Sequence, residues 1–198
     1  MLSTGIATLG LSIPQSAQDS MLSFLELLQK WNKAYNLTAI DDLEQMITIH
    51  LLDSLSIAPY LDGKRVLDVG AGAGFPGIPL AFAYPDKQFT LLDSVGKKTR
   101  FLRQAVATFK ITNVEVVQAR MEKFSSRHCF DAIICRAVGT LADVVAKTKR
   151  VICPQGQWLM MKGECPRTEM QMLTHMATAY ALKVPGLTAR RHVIVIKR

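Results

Sequence analysis

Residues Val66–Gly77 read Val-Leu-Asp-Val-Gly-Ala-Gly-Ala-Gly-Phe-Pro-Gly, and their reading decides the fold. Val66, Leu67 and Val69 form the short, β-branched apolar run of a buried parallel strand. Gly70, Gly72 and Gly74 then supply a turn without Cβ atoms, over which a ligand can lie close to the backbone. Pro76 suits the first turn of a following helix, where its missing N–H costs nothing. Strand, glycine turn and helix in this order hold an adenosine-containing cofactor at the carboxyl edge of an α/β sheet.

The spacing narrows the cofactor. A dinucleotide loop of the form G-x-G-x-x-G needs its third glycine at position 75, which is Phe75. A phosphate loop needs Gly-Lys-Ser/Thr, and that triplet is absent from the chain. What remains is G-x-G-x-G with Asp68 two residues ahead, the form typical of enzymes that use S-adenosylmethionine (SAM). Taken alone, the same residues also fit a purely structural glycine turn.

Outward from the loop, strands and helices alternate. Strands are expected at Gln88–Leu92, Val114–Gln118, Asp131–Cys135 and Gln157–Lys162, with helices at Ser94–Phe109 and Leu141–Val151 between them. A further helix is expected over Arg167–Ala179, and Leu182–Val184 is expected to pair with Val193–Lys197. Ahead of the loop, Met21, Phe24, Leu25, Leu28 and Trp31 mark a helix over Ala17–Tyr35. Asp41 or Asp42 caps a second helix with the stripe Leu43, Ile47, Leu51, Leu55, and Gln45 completes a capping box with Asp42. Repeated β-α units imply a mainly parallel, right-handed sheet covered on both faces. The division expected is a helical extension over 1–61 packed on a core of 62–198, one structural domain overall.

The 198 residues suffice for one well-buried domain, and nearly half of them are apolar. No apolar stretch reaches membrane-spanning length, and the N-terminus has no basic n-region, so a cytoplasmic location is expected. Cys129, Cys135, Cys153 and Cys165 form no C-x-x-C pair, and His50, His128, His175 and His192 are scattered. Buried free thiols in a reducing compartment, and no bound metal, are therefore expected. Charge is uneven: residues 1–99 carry 7 Lys/Arg against 10 Asp/Glu, and residues 100–198 carry 17 against 6. A basic half of this kind suits a polyanion such as RNA, and equally suits solvated helix faces.

Chemistry is expected where the strands end. Asp93 closes the second strand, where a carboxylate can accept both ribose hydroxyls of an adenosine. Asp68 could order the glycine turn or a water near the cofactor's amino-acid end. Met121, after the third strand, could lie on an adenine ring or merely cap the core. The fourth strand ends Cys135-Arg136-Ala137, without the Asn/Asp-Pro-Pro-aromatic run of amino-group methyltransferases. Cys153-Pro154 and Cys165-Pro166 reverse the order a nucleophilic thiol needs in cytosine-C5 enzymes, and Arg136 occupies the place of a 2′-O base. An acceptor needing no deprotonation fits: guanine N7 carries a free lone pair, so alignment does most of the work.

Trp-Asn-Lys-Ala-Tyr-Asn-Leu-Thr from Trp31, His-Leu-Leu-Asp-Ser from His50, the loop from Leu67 and Thr-Leu-Leu-Asp-Ser-Val-Gly-Lys-Lys from Thr90 together carry a resemblance. Phe-Asp-Ala-Ile-Ile-Cys-Arg-Ala from Phe130, Lys162-Gly163 and Arg-His-Val-Ile-Val-Ile-Lys from Arg191 extend it to nearly the whole chain. In these the chain resembles the RsmG (GidB) family of bacterial 16S rRNA guanine-N7 methyltransferases; only the first 16 residues match nothing.

The resemblance implies a class I SAM-dependent methyltransferase, Rossmann-like, with a mainly parallel seven-stranded sheet. It implies SAM contacts at Gly70, Phe75, Met121, Glu122 and Arg136, with Asp93 on the ribose, and guanine 527 as target. Asp68, Gly72 and Gly74 join the cofactor candidates. Arg136, Lys162 and His50 are the candidates for positioning the substrate; Lys97, Lys98, Arg100, Arg103, Arg191 and His192 are those for RNA. The partner expected is 16S rRNA, the small subunit or its assembly intermediate, with no membrane and no obligate protein partner. Two other readings stay open: a non-catalytic SAM-binding assembly factor, and an NAD-dependent oxidoreductase, which Phe75 disfavours.

Overall fold

A computed structural model describes residues 1–198. Its seven strands are β1 (Arg65–Val69), β2 (Gln88–Asp93), β3 (Val114–Gln118), β4 (Phe130–Arg136), β5 (Ile152–Lys162), β6 (Ala177–Leu182) and β7 (Arg191–Lys197). They form one sheet in the order β3-β2-β1-β4-β5-β7-β6, parallel except for β7, which runs antiparallel to both β5 and β6. The helices are α1 (Leu2–Thr8), α2 (Gln15–Tyr35), α3 (Leu43–Met46), α4 (Asp53–Leu55), α5 (Gly77–Ala83), α6 (Gly96–Thr108), α7 (Leu141–Thr148) and α8 (Arg167–Gln171). None is long and apolar enough to cross a membrane.

The sheet order explains the site. Moving from β1 the chain goes outward through β2 to β3, then returns to the other side of β1 as β4. The connections after β1 and β4 therefore diverge, leaving a crevice at the carboxyl ends of the strands. The central strands are buried on both faces, as their apolar runs require.

Asp42 caps α3 by accepting from the Gln45 amide at 2.8 Å. Between α3 and α4 the chain widens into a π-helical turn over Ile47–Leu52. The apolar stripe survives it, with Ile47, Leu51 and Leu55 all buried. On α2, Phe24 is fully buried and meets Phe75 edge-on, ring centres 5.6 Å apart. Burying such a ring stabilises by about 2–3 kcal/mol. One apolar cluster runs from Leu2 and Ile6 of α1 through α2 to Ile78 and Phe101, so the N-terminal helices share the core of the sheet.

Three expectations need correction. The helix over Arg167–Ala179 stops at Gln171, and Ala177–Leu182 is instead the edge strand β6. Six residue pairs with β7, from Ala177 with Ile196 to Leu182 with Arg191, outweigh the weak helical pattern. The terminal pairing accordingly starts well before Leu182. The four cysteines are also not all free: Cys129 and Cys153 form a disulfide. They flank the paired residues Phe130 and Ile152 on adjacent strands, which sequence spacing of 24 could not disclose. Cys135 is buried and free, and Cys165 is free but half-buried.

Candidate functional site

The glycine loop curls over the end of β2. The amides of Gly70 and Ala71 donate to the Leu92 carbonyl at 2.7 and 3.1 Å. Asp93 receives the Gly72 amide on one oxygen (2.9 Å) and the Val95 amide on the other (2.8 Å). Its carboxylate is thereby fixed at the rim, with lone pairs left over. Gly70 has φ +69°, and a Cβ there would meet Val138 Cγ2 at 2.4 Å, so only glycine permits this path beside β4.

Beneath the loop, Asp68 is fully buried. One oxygen accepts the Gly77 amide at 2.8 Å, and the other, Oδ1, has no partner. Burial pushes its pKa up to about 7. Gly77 is required here, because a Cβ would lie 2.3 Å from Leu91 and 2.6 Å from Asp68 Oδ2.

Above the loop lies a cleft of about 640 Å³. Its floor is the loop and the end of β2; its walls are residues 119–122, the end of β4, Leu37 and Thr38 from the connection between α2 and α3, and His50 from the π-helical turn. Phe75 meets two partners: the His50 ring stacks on it at 4.4 Å, and the Arg136 guanidinium sits 5.3 Å from its centre. Arg136 Nη1 donates to the Ile49 carbonyl (2.9 Å) and to Asp53 Oδ2 (3.1 Å), while Nη2 reaches His50 Nδ1 (3.3 Å). Asp53, buried at the start of α4, also takes Arg191 Nε at 3.1 Å. Burial, with Arg136 alongside, lowers the His50 pKa to about 4, so its ring is neutral near pH 7. Burial likewise pushes the Cys135 thiol up to about 12, which rules it out as a nucleophile.

A cleft of this form at a strand crossover is common to many enzymes, and the relatives of the chain narrow it. The family described as "GidB: rRNA small subunit methyltransferase G" matches residues 17–194. The chain belongs to this family. It is 54% identical over 196 residues to Ribosomal RNA small subunit methyltransferase G of Coxiella burnetii (strain Dugway 5J108-111), covering 99% of this chain and 96% of that one. With the protein of the same name from Nitrosococcus oceani it shares 46% over 200 residues, covering 100% and 94%. Among solved structures, a SAM-dependent methyltransferase from Aquifex aeolicus superposes with TM-score 0.62 at 17% identity, over 82% of this chain and 96% of that one. The fold is thus the Rossmann-like one of class I SAM-dependent methyltransferases, as expected from the sequence.

Within this methyltransferase G fold, one cleft collects Gly70, Gly72, Phe75, Asp93, Met121 and Glu122, together with His50, Lys98 and Arg136. Asp68 and Gly74 lie under the loop and do not line it. Lys162 is also outside, donating to the Gly139 carbonyl (3.1 Å) and paired with Glu169 at 3.5 Å. Arg191 and His192 border a separate cavity of about 550 Å³ with Arg167 and Arg190. On α6, Lys97 donates to the Tyr35 carbonyl, and Arg100 and Arg103 are exposed.

Sequence reasoning did not single out Thr38, Asp53 as an ion-pair bridge, or Arg150. Arg150 donates to the Met121 and Phe124 carbonyls at 3.1 and 2.7 Å, fixing the turn that carries Met121. Its distance of 29 residues from Met121 left no local signal.

Proposed function

We infer that this protein transfers a methyl group from SAM to N7 of a guanine in bacterial 16S rRNA, at position 527. The single observation that carries the reading is the shared cleft, in which the glycine loop and Asp93 face Phe75, His50 and Arg136. The residues fit the cofactor. Gly72 leaves open space where a Cβ would stand, with only the Gly70 carbonyl oxygen at 3.8 Å. Asp93 keeps lone pairs for ribose hydroxyls, and Met121 offers a polarizable face for an adenine. When bound, SAM supplies an electrophilic methyl on a sulfonium.

The chain's own residues then have to align and shield. N7 of guanine brings its own lone pair, so no base is required; His50 is held by Arg136, and Cys135 is buried and protonated. Of the five N–H groups of Arg136, three are committed to Ile49, Asp53 and His50, leaving two for nucleotide oxygens. These three bonds and the cation–π contact with Phe75 at 5.3 Å hold that guanidinium in place. Lys98 and the exposed Arg100 and Arg103 offer phosphate contacts beside the mouth, and Lys162, Arg191 and His192 offer them on the far side of β4. The substrate is naked 16S rRNA, the small subunit or an assembly intermediate, which goes with a cytoplasmic location.

The test is radiolabelled methyl transfer from SAM to small subunits prepared from cells lacking the gene. Transfer by the wild type and its loss in a folded Arg136→Ala variant is expected. No transfer to any rRNA form would overturn the reading in favour of a non-catalytic SAM-binding assembly factor.

A further inference from the structure

Thr38 is a wall residue of the cleft whose hydroxyl has two protein partners, His50 and Ile40. A guanidinium has N–H groups and no acceptor, so the Arg136 Nη2 contact at 3.3 Å is a hydrogen bond in the tautomer with a bare lone pair on His50 Nδ1. The neutral imidazole must then carry its proton on Nε2. That nitrogen lies 2.9 Å from Thr38 Oγ1 and donates to it. The same hydroxyl oxygen accepts the Ile40 amide at 3.2 Å. A hydroxyl has two acceptor lone pairs and one O–H, and both lone pairs are now in use. What Thr38 has left is a hydrogen, and Thr38 lines the cleft.

We propose that Thr38 is a specificity-determining residue, donating its hydroxyl hydrogen to O6 of the target guanine; this rests on the function inferred above. Two edges of a purine matter here. Beside N7, guanine presents the O6 acceptor, whereas adenine presents the N6 amino donor. A serine or threonine hydroxyl normally serves either base, because it can donate or accept. Thr38 cannot: the Arg136–His50 contact makes it a donor, so it accepts guanine and leaves adenine's amino group facing another hydrogen. Its place fits the acceptor rather than the cofactor. It joins, through His50, the cluster around Arg136 at the carboxyl end of β4, whereas the ribose carboxylate Asp93 sits at the end of β2. The π-helical turn carries both His50 and the Ile49 carbonyl that Arg136 contacts.

The test compares Thr38→Val, which keeps the shape and deletes the hydroxyl, with Thr38→Ser, which restores it. Small subunits are reconstituted with guanine, adenine or 2-aminopurine at the target position; the last keeps N7 and lacks O6. Thr38→Val is expected to lose roughly ten- to a hundred-fold in kcat/KM on guanine, with Ser recovering most of it. On 2-aminopurine, wild type and Thr38→Val should differ little, since the partner is already gone. S-adenosylhomocysteine affinity by calorimetry should not change for Val, whereas thermal stability should fall, because the His50 Nε2–H and the Ile40 amide lose their acceptor. Nitrogen NMR of the wild type should show His50 protonated at Nε2 and bare at Nδ1.

A Val variant as active as wild type on guanine overturns the proposal, as does a loss confined to S-adenosylhomocysteine affinity, which would assign the hydroxyl to the cofactor. A proton on Nδ1 overturns it as well. If the wild type transfers no methyl to any guanine, the function itself is refuted, and that result differs from transfer insensitive to Thr38.

Discussion

Asp53 is the residue through which the N-terminal helices grip the catalytic edge, and removing its charge should be felt in stability. Its carboxylate is 2% exposed and takes Arg136 Nη1 and Arg191 Nε, each at 3.1 Å. Breaking a buried ion pair from one side costs about 3–5 kcal/mol, because the remaining charge is stranded. Here the stranded groups are two guanidiniums whose side chains keep 22% and 23% of their surface in water. Each also keeps a backbone carbonyl, that of Ile49 or Arg190. Solvent and these carbonyls offset part of the penalty, so the expected loss is about 3 kcal/mol for Asp53→Ala. Asp53→Asn, which retains one oxygen acceptor, should lose about 2 kcal/mol. In urea, with a slope of about 2 kcal/mol per M, the midpoint should fall by about 1.5 M for Ala and 1 M for Asn. A double-mutant cycle with Arg191→Met should recover part of the loss, since one stranded charge is then gone. Midpoints within about 0.2 M of wild type for both variants would refute the bridge.

Other expectations concern titration, packing and cross-linking. Asp68 keeps its proton up to about pH 7 in the fold but only to 3.8 when unfolded, so its contribution is present in acid and is lost as pH rises through that window. His50 has the opposite sign, with a folded pKa near 4 against 6.5, so its contribution is lost as pH falls from 6.5 to 4. Asp68→Asn should therefore gain about 3 kcal/mol relative to wild type between pH 4 and pH 7 in urea titrations; parallel profiles would contradict this. Gly77→Ala should lose about 1–3 kcal/mol, read as a urea midpoint, because its Cβ meets Leu91 and Asp68. Cys153→Ser opens a cross-link between residues 24 apart and should lower stability by about 3 kcal/mol under non-reducing conditions, with dithiothreitol erasing the difference.

The sheet and the cofactor side of the cleft were legible because both follow from local rules. A parallel strand announces itself by an apolar run, and parallel topology brings every strand's carboxyl end to one edge. Gly70, Asp93, Met121 and Arg136 could thus be gathered without knowing any distance. The contribution of the N-terminal helices was harder to see. Thr38, His50 and Asp53 lie well before the loop, and the π-helical turn shifts the phase on which a helical pattern depends. Lys162 and Arg191 were placed by their chemistry alone, and the structure shows each already held by an acid, Glu169 or Asp53. Residues 172–182 misled for another reason. Their alanines, leucines and methionines favour a helix locally, and the pairing with β7 overrides that preference. The disulfide is a consequence of register between β4 and β5, which composition cannot reveal.

The central claim is that this cleft methylates N7 of one guanine, and locating the methyl group tests it most directly. Wild-type protein, SAM and small subunits lacking the modification are incubated, and the 16S rRNA is digested and mapped by mass spectrometry. A single N7-methylguanosine at position 527 is expected. A methyl group on a ribose, an exocyclic amine or another nucleotide would contradict it.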